Sequence, residues 1–350
     1  MVKDSFTRAI LLMKRVSLKD VAREAGISTS AVSFILNGRA EKMRVSKDLE
    51  KKVKAIADKL GYTPNKIAVT LRTGQSKLIG LVVESIAGHF FALLAKIIEE
   101  QAEDAGYKLL YSSTENKAKR GNEILQMFSQ HQVDGYLITP AKGMEQEIAL
   151  IALQRKPIVL IDSYFPEQNL SHVLVDNYLG VKMGMEHLFE QGYKEISFVT
   201  VKLPLIQMEE RKKAFRDALS ARKIKKINER ILELPFNMPA AEITNSIREF
   251  LQKNPRTEVL FFATNYLGIP GLEAIQQEGL KMPQDIAMIC FDDHDLFRLF
   301  PGGITAIQQP IPEIAKTAIN LLIRQLDNRH GNHACEKIKI PPRLIRRGST

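Results

Sequence analysis

The chain has 350 residues, of which 45% are hydrophobic, so it can bury a large core and divide into more than one domain. The sequence has no apolar run of the roughly 18 residues that a membrane span needs, and residues 9–13 are too few for the apolar part of a signal peptide. We therefore expect a cytoplasmic protein with no membrane partner. The two cysteines, Cys290 and Cys335, show neither disulfide nor metal-type spacing, so we expect no metal and no cofactor.

The positive charge is concentrated near the N-terminus. The chain has a net charge of +10, and residues 1–76 hold 16 Lys and Arg against 7 Asp and Glu, which leaves a net charge of +1 for the other 274 residues. A small basic segment attached to a nearly neutral body indicates contact with a polyanion, although basic helices are also often only solvated faces.

Residues 16–36 predict two short helices around a tight turn. Gly26 can adopt the left-handed conformation that ends the first helix, and Ser28 can cap the second. The apolar positions at helical spacing are Leu18, Val21, Ala22 and Ala25 in the first helix and Ala31, Val32, Ile35 and Leu36 in the second. This is the pattern of a helix-turn-helix motif, and it directs outward Thr29, Ser30, Ser33 and Phe34.

The segments on either side of this motif complete the N-terminal part. Residues 1–12 show neither periodicity nor caps, so we expect either a disordered tail or a native start at Met13. After a basic loop at 39–44, Ser46 can cap a third helix that Gly61 ends, so residues 13–62 can form a small DNA-binding domain. Residues 63–76 contain one helical pattern that is too short to be stable alone, so we expect a hinge helix and linker there.

From Lys77 onward, apolar β-rich runs alternate with helical patterns, which predicts an α/β body of doubly wound parallel sheets. The predicted strands are 78–83, 108–113, 133–139, 157–162, 172–175, 196–200, 258–263 and 286–291. The predicted helices are 91–105, 120–131, 145–154, 178–191, 208–222, 240–252 and 267–278. A break near Asp176 divides this body into two βα sets.

Polar residues follow several of the predicted strands. Ligands in such sheets bind beyond the carboxyl ends of the strands. The candidates at these ends are Glu84, Asp162, Thr264, Asn265, Asp292 and Asp293. Taken singly, such acids are at least as often loop caps as ligands. The sequence shows no Ser/His/Asp or Cys/His spacing, no glycine-rich phosphate loop and no HExxH motif, so we expect that the protein is not an enzyme.

A series of motifs runs through the chain in a fixed order. They are VSLKDVAREAG, VSFILNG, LGYTPN with the following Ala68, Leu71 and Arg72, LIGLVV, Phe90-Phe91, Asp162, Arg211-x-x-Ala214-Phe215, Asn265, Phe291-Asp292-Asp293, ITAIQQP and PPRLIRRGS. In these motifs the chain from Val16 onward resembles the lactose-repressor (LacI/GalR) family of bacterial transcription regulators. The resemblance implies a periplasmic-binding-protein-like core over 77–350, with subdomain N at about 77–175 and 308–336 and subdomain C at about 176–307 and 337–350.

The resemblance also implies which residues contact DNA. They are Ser17, Ser28, Thr29, Ser30, Ser33, Phe34, Asn37, Asn65, Lys66, Ala68, Leu71 and Arg72. Phe34 stands where an arginine is frequent, and it can either touch a thymine methyl or pack in the core. Leu71 matches the leucine that wedges into the minor groove at the operator centre, a role that we favour over helix packing.

By the same resemblance, the effector lies in a cleft of the core. The implied effector-binding residues are Phe90, Phe91, Asp162, Arg211, Asn265, Asp292 and Gln309. Arg211 can fork onto a hydroxyl pair or a carboxylate, and the acids can accept hydrogen bonds from sugar hydroxyls. Two departures, Gly88-His89 in place of Asn-Pro and Tyr266 in place of an aspartate, indicate that the ligand need not be the usual sugar.

These observations predict a ligand-responsive transcription regulator, a repressor, that binds a palindromic operator as a homodimer, with a tetramer left open. A small effector, a sugar or sugar derivative, is expected to act as either inducer or corepressor. One alternative is a solute-binding or sugar-binding protein without a DNA role, which the basic first domain argues against. The other alternative is an enzyme, for which no nucleophile and base pair is visible.

Overall fold

The structure, a computed structural model, describes residues 16–63, 70, 73–328 and 334–350. The chain divides into two compact units, one ending at Ser76 and the other running from Lys77 to Thr350. The predicted tail at 1–12 and part of the predicted hinge at 63–76 lie outside the described residues. None of the helices in the described ranges is both long and apolar enough to cross a membrane.

Within residues 16–63 of the first unit, the structure forms the three helices that the sequence predicts. They are α1 Leu18–Ala25, α2 Thr29–Leu36 and α3 Lys47–Leu60. Each begins after a serine, Ser17, Ser28 or Ser46, whose hydroxyl accepts a hydrogen bond from a backbone N–H of the first turn. Gly26 and Gly61 end α1 and α3 in the left-handed conformation, with φ of 71° and 68°.

The apolar faces of these three helices enclose a small core. Val21, Val32, Ile35 and Val53 have no exposed surface, and Ala22 is 5% exposed where α1 packs against α2. The cluster draws on all three helices, so each helix is stabilised by the burial of its apolar face against the other two.

The second unit is built on two six-stranded sheets. The elements of its first half are β1 Leu78–Val83, α4 His89–Asp104, β2 Lys108–Ser113, α5 Ala118–Gln130, β3 Gly135–Ile138, α6 Glu145–Leu153, β4 Ile158–Ile161 and β5 Ser171–Val175. Those of the second half are α7 Asn177–Glu190, β6 Ile196–Lys202, α8 Ile206–Ala221, the 3₁₀ turn Ile227–Arg230, β7 Ile231–Pro235, α9 Ala240–Lys253, β8 Val259–Phe262, α10 Asn265–Gln277, β9 Ala287–Phe291, α11 Asp295–Leu299 and β10 Thr305–Gln308. The chain ends with α12 Ile311–Asp327, β11 Lys337–Ile340 and β12 Arg343–Ile345.

The strand order explains where polar strand ends meet. The first sheet has the order β11-β5-β4-β3-β1-β2 with parallel neighbours throughout, and the second has the order β12-β10-β9-β8-β6-β7, in which only β12 is antiparallel. The central strands are apolar and buried along their whole length, as expected for sheets covered on both faces. In each sheet the order reverses beside the first strand, β1 or β6, so the carboxyl ends of the central strands border a switch-point crevice.

The chain crosses between the two sheets three times, and one crossing corrects the predicted subdomain boundary. The crossings fall between Val175 and Asn177, between Gln308 and Ile311, and between Ile340 and Arg343. Residues 337–340, predicted to belong to subdomain C, instead form β11, which pairs in parallel with β5 of the first sheet. The hydrogen bonds that β5 offers at the sheet edge account for this placement.

Some elements are not predicted by the sequence patterns above. They are the strands β7, β10, β11 and β12 and the helices α11 and α12. Three of these strands, β7, β11 and β12, lie at a sheet edge, where burial is partial and the apolar run is short. Several helices begin one or two residues earlier than predicted. The reason is that the polar residues His89, Asn177 and Asn265, which do not belong to the apolar pattern, form the first turns of their helices.

Candidate functional site

The first candidate site is the exposed start of α2. The side chains of Ser28, Thr29 and Ser30 are exposed there, and those of Ser33 and Phe34 are partly buried. The Ser28 hydroxyl accepts a hydrogen bond from the N–H of Ala31, so it fixes the N-terminus of the helix. Short polar side chains at this position leave the backbone free to approach another surface closely.

Three more predicted DNA contacts can be placed in this unit. Ser17 caps α1, where it shares a capping box with Asp20. Asn37 ends α2, and its side-chain amide donates to the carbonyl and hydroxyl oxygens of Ser33. Phe34 does not belong to the core cluster formed by the described residues of this unit, so of its two predicted roles the structure disfavours core packing. Asn65, Lys66, Ala68, Leu71 and Arg72 lie outside the described residues.

The second candidate site is a cleft between the two sheets of the second unit. Seven residues predicted as effector contacts line one cavity of about 130 Å³. These residues are Phe90, Phe91, Asp162, Arg211, Asn265, Asp292 and Gln309. A second cavity of about 470 Å³, the outer chamber, adjoins this one, because several of the same residues line both. The convergence follows from topology, because β4, β8 and β9 end beside Asp162, Asn265 and Asp292.

Arg211 is the buried cation of the cavity. Its side chain is 2% exposed, its Nε donates to Oδ1 of Asn177 at 2.8 Å, and its Nη1 donates to the carbonyl of Ala263 at 2.6 Å. The guanidinium lies 3.6 Å from the ring centre of Phe291, and Nη1 is 3.5 Å from Oδ2 of Asp292. The group is therefore held in one orientation by a carboxylate, two oxygen acceptors and an aromatic face.

Two aspartates occupy strained positions at the ends of β4 and β9. Asp162 and Asp292 have φ of 66° and 71°, a left-handed conformation that a non-glycine residue adopts at a cost of order 1–3 kcal/mol. Each accepts a hydrogen bond from a glutamine amide: Gln207 donates to Asp162 at 3.0 Å and Gln309 donates to Asp292 at 2.5 Å. Such strain is typical of sites where side-chain position matters more than local stability.

The carboxylates of the cleft affect each other. Burial, and to a lesser extent the charge of Asp162, raises the pKa of Glu84 to about 7. Burial also raises the pKa of Asp162 to about 6, with Asp292 adding to the rise while Arg211 and Gln207 oppose it. The inner cavity thus holds two carboxyl groups that titrate near neutral pH.

Aromatic rings form part of the wall. Phe90 and Phe91 pack edge to face with centres 4.9 Å apart, and Phe236 and Tyr266 are perpendicular with centres 6.3 Å apart. Burial and the charge of Glu84 raise the pKa of Tyr266. Flat apolar walls around a few fixed polar groups are the usual composition of a small-molecule site.

Other lining residues were not among the predicted effector contacts. Two of them, Glu84 and Thr264, were candidates only as polar strand ends, whereas Gln207, Met208, Phe236 and Tyr266 were not predicted to line the cavity. Gln207 lies four residues before Arg211 on α8, so the spacing that puts residues i and i+4 on one helix face would have identified it. Phe236 follows β7, a strand that the sequence patterns did not predict.

Comparison with known proteins places these two sites in one family. Residues 17–65 match the family model described as bacterial regulatory proteins, lacI family, and residues 185–350 match the periplasmic binding protein-like domain. The chain is 30% identical over 317 residues to the ribose operon repressor of Haemophilus influenzae, covering 91% of this chain and 94% of that protein. It is also 30% identical over 338 residues to the HTH-type transcriptional repressor PurR of Photobacterium profundum, covering 95% and 98%.

A solved structure shares the fold across both units. The Lac repressor dimer bound to operator and the anti-inducer ONPF matches with a TM-score of 0.84 at 22% identity, covering 96% of this chain and 99% of that one. Together with the two repressors, this likeness identifies the chain as a DNA-binding transcription regulator that belongs to the lacI family of bacterial regulatory proteins.

Proposed function

We propose that this regulator is a repressor that binds a palindromic operator as a homodimer in the bacterial cytoplasm, and that a small effector in the cleft controls its affinity for DNA. The effector is a sugar derivative or a molecule of similar size that contacts Asp162, Arg211, Asn265, Asp292 and Gln309. On DNA, the exposed start of α2 reads the major groove, and the segment around Leu71 enters the minor groove.

The observation that carries this proposal is the convergence of the predicted effector contacts on one cavity. The cavity lies where the strand ends of both sheets face each other, so a ligand there touches both subdomains. A ligand that contacts both subdomains can favour one relative angle over another, and only this difference in affinity can change DNA binding.

A gel-shift assay tests the DNA-binding part. Purified protein is titrated onto the DNA upstream of its own gene and of neighbouring genes, with excess unrelated DNA as competitor. We expect a retarded band at one or more inverted repeats, and a protein with Thr29 and Ser30 both changed to alanine is expected to lose it. A protein that binds no upstream fragment better than competitor DNA would contradict the proposal and favour a solute-binding role.

A thermal-shift screen tests the effector part. A ligand that binds only the native state raises the melting temperature, by an amount that grows with its concentration relative to Kd. Sugars, sugar phosphates and nucleobases form the panel. We expect Arg211→Ala and Asn265→Ala to remove the shift that the wild type shows, while Glu99→Gln, an exposed change on α4, keeps it. A shift that survives both cleft variants would place the ligand elsewhere.

A further inference from the structure

The inner cavity presents mainly hydrogen-bond acceptors. Among the described residues that line it, three carboxylates, Glu84, Asp162 and Asp292, face a single guanidinium, that of Arg211. The guanidinium is already bound by Asn177, by the Ala263 carbonyl and by Asp292. With all four groups ionised, the lining therefore carries two more negative than positive charges.

Two buried glutamines add further acceptors. Gln207 and Gln309 are 3% and 7% exposed, and the side-chain oxygen of each has no hydrogen-bond partner in the described part of the chain. The orientation of both amides is fixed, because an ionised carboxylate accepts only, so each amide nitrogen must face its aspartate. An unpaired buried oxygen is unfavourable, and a donor on a bound ligand would satisfy it.

The outer chamber is nearly balanced in charge. Its acids are Asp292, Asp293, Asp295 and Glu313, and its cations are Arg298 and Arg343. Three of the acids are paired with arginines: Asp292 with Arg211, Asp293 with Arg347 and Asp295 with Arg298. The charge preference of the cleft therefore comes from the inner cavity, where Glu84 and Asp162 would repel a phosphate or carboxylate. A neutral polyol would supply donors but would leave Glu84 and Asp162 without a cation when they ionise in a cleft that excludes water.

We infer that the effector of this cleft is an amine-bearing polyol, a hydroxylated molecule whose protonated amine lies against Glu84 and Asp162 and whose hydroxyls donate to the two glutamines. The inference rests on the proposed function, in which this cleft is the effector site. The rings of Phe90, Phe236 and Tyr266 provide walls for the carbon skeleton, and an aromatic face also attracts a nearby cation.

Binding of a cation in this position has a characteristic pH dependence. Glu84 is surrounded by Asp162, Glu115, Asp292 and the hydroxyl-bearing Tyr266, and its pKa of about 7 means that it is partly protonated at neutral pH. A cation favours the ionised form, so binding of the amine expels a proton. Affinity should therefore rise between pH 6 and pH 7.5, and the rise cannot exceed tenfold per pH unit for one proton.

The experiment compares amino sugars with their N-acetyl forms, because acetylation removes the charge and keeps the ring. Glucosamine, galactosamine and mannosamine, each with its N-acetyl counterpart, are tested by thermal shift and calorimetry beside glucose 6-phosphate and calcium chloride. We expect at least one amine to stabilise the protein and its N-acetyl form to bind about tenfold or more weakly. Glu84→Gln should remove most of that preference, and Glu99→Gln should retain it.

Several results would overturn the inference. They are absence of a shift with every amine, binding of an N-acetyl form or the phosphate as tight as that of the amine, stabilisation by calcium alone, or affinity for the amine that falls from pH 6 to pH 7.5. None of these results would contradict the proposed DNA-binding function, since operator binding is measured separately by gel shift. Loss of operator binding with a retained amine preference would instead refute the proposed function and leave the ligand class standing.

Discussion

At the scale of single residues, Glu84 is expected to make the core less stable as the pH rises. Its pKa is about 7 in the folded core against an ordinary value of 4.5, so the folded state holds more protons between these pH values. Stability that is present below about pH 4.5 is therefore lost as the pH rises through 7. Glu84→Gln cannot ionise and should be more stable than the wild type at pH 8, by up to about 3 kcal/mol.

Urea unfolding of the core at pH 4.5 and pH 8 measures this difference. The two proteins should be nearly equal at the lower pH, because the Glu84 carboxyl is protonated in the folded wild type. The exposed Glu99→Gln variant controls for the loss of one negative charge. If Glu84→Gln raised the free energy of unfolding equally at both pH values, ionisation of Glu84 would not destabilise the folded state, and the prediction would be wrong.

The residues of the cleft could be predicted to different degrees. Asp162, Asn265 and Asp292 follow apolar strands, and the strand-end rule alone identifies them as candidates. Arg211 lies in the middle of a helix, where composition gives no such signal, and only its place in a family motif marked it. The i, i+4 spacing from Arg211 places Gln207 on the cleft face of the helix, but its hydrogen bond to Asp162 of the other subdomain is evident only from the structure.

At the scale of elements, α7 lies unusually close to the second sheet because of its glycines. A Cβ on Gly180 would lie 2.7 Å from the Phe291 ring and 3.0 Å from Cγ2 of Ile307. The same Phe291 ring supports the guanidinium of Arg211. We expect Gly180→Ala to lower the free energy of unfolding by about 1–3 kcal/mol, since overpacking displaces these side chains, and to weaken ligand binding.

Urea unfolding and ligand titration of Gly180→Ala test this packing. Lys182→Ala is the matched control, because Lys182 lies on the same helix with its side chain 54% exposed and should change stability by less than about 0.5 kcal/mol. If the two variants were equally stable, α7 could move away from the sheet without cost, and the glycine would not be needed for the approach.

The elements themselves were predictable where burial is complete. The three N-terminal helices and the central strands follow from apolar periodicity and caps, because both kinds of element bury one continuous face or run. Edge strands such as β11 and β12 have a mixed burial pattern and gain their hydrogen bonds from a neighbouring strand distant in sequence. Local sequence does not record that partner, so their sheet assignment could not be predicted.

The segment around Leu71 is expected to discriminate between operator and other DNA. Leu71→Ala should weaken operator binding by about tenfold or more while binding to random DNA changes little, because an inserted side chain acts only where the DNA can be kinked. Val69→Ala is the control, since a residue two positions earlier points away from the face of Leu71 on a helix. Equal losses on operator and random DNA, measured by fluorescence anisotropy, would exclude the wedge.

At the scale of the whole molecule, the proposed effector site makes α8 the element that would link a ligand to the arrangement of the core. Arg211 and Gln207 line the cavity, and Gln207 donates across it to Asp162 of the first subdomain. Glu210, on the same turn, accepts from Lys339 of β11 at 2.7 Å. A ligand that binds α8 therefore competes with, or reinforces, the contacts that set the angle between the two subdomains.

This arrangement requires that operator and effector affect each other equally. If the effector changes the operator Kd by a factor of about 5–150, then operator must change the effector Kd by the same factor in the same direction, because both report one coupling free energy. Anisotropy titrations of operator with and without effector, and calorimetric titrations of effector with and without operator, measure the two factors. An inducer should weaken binding in both directions and a corepressor should strengthen it. A large effect in one titration with none in the other would exclude coupling through the subdomain angle. Asp162→Asn weakens the contact with Gln207 across the cleft, so it should change both factors together.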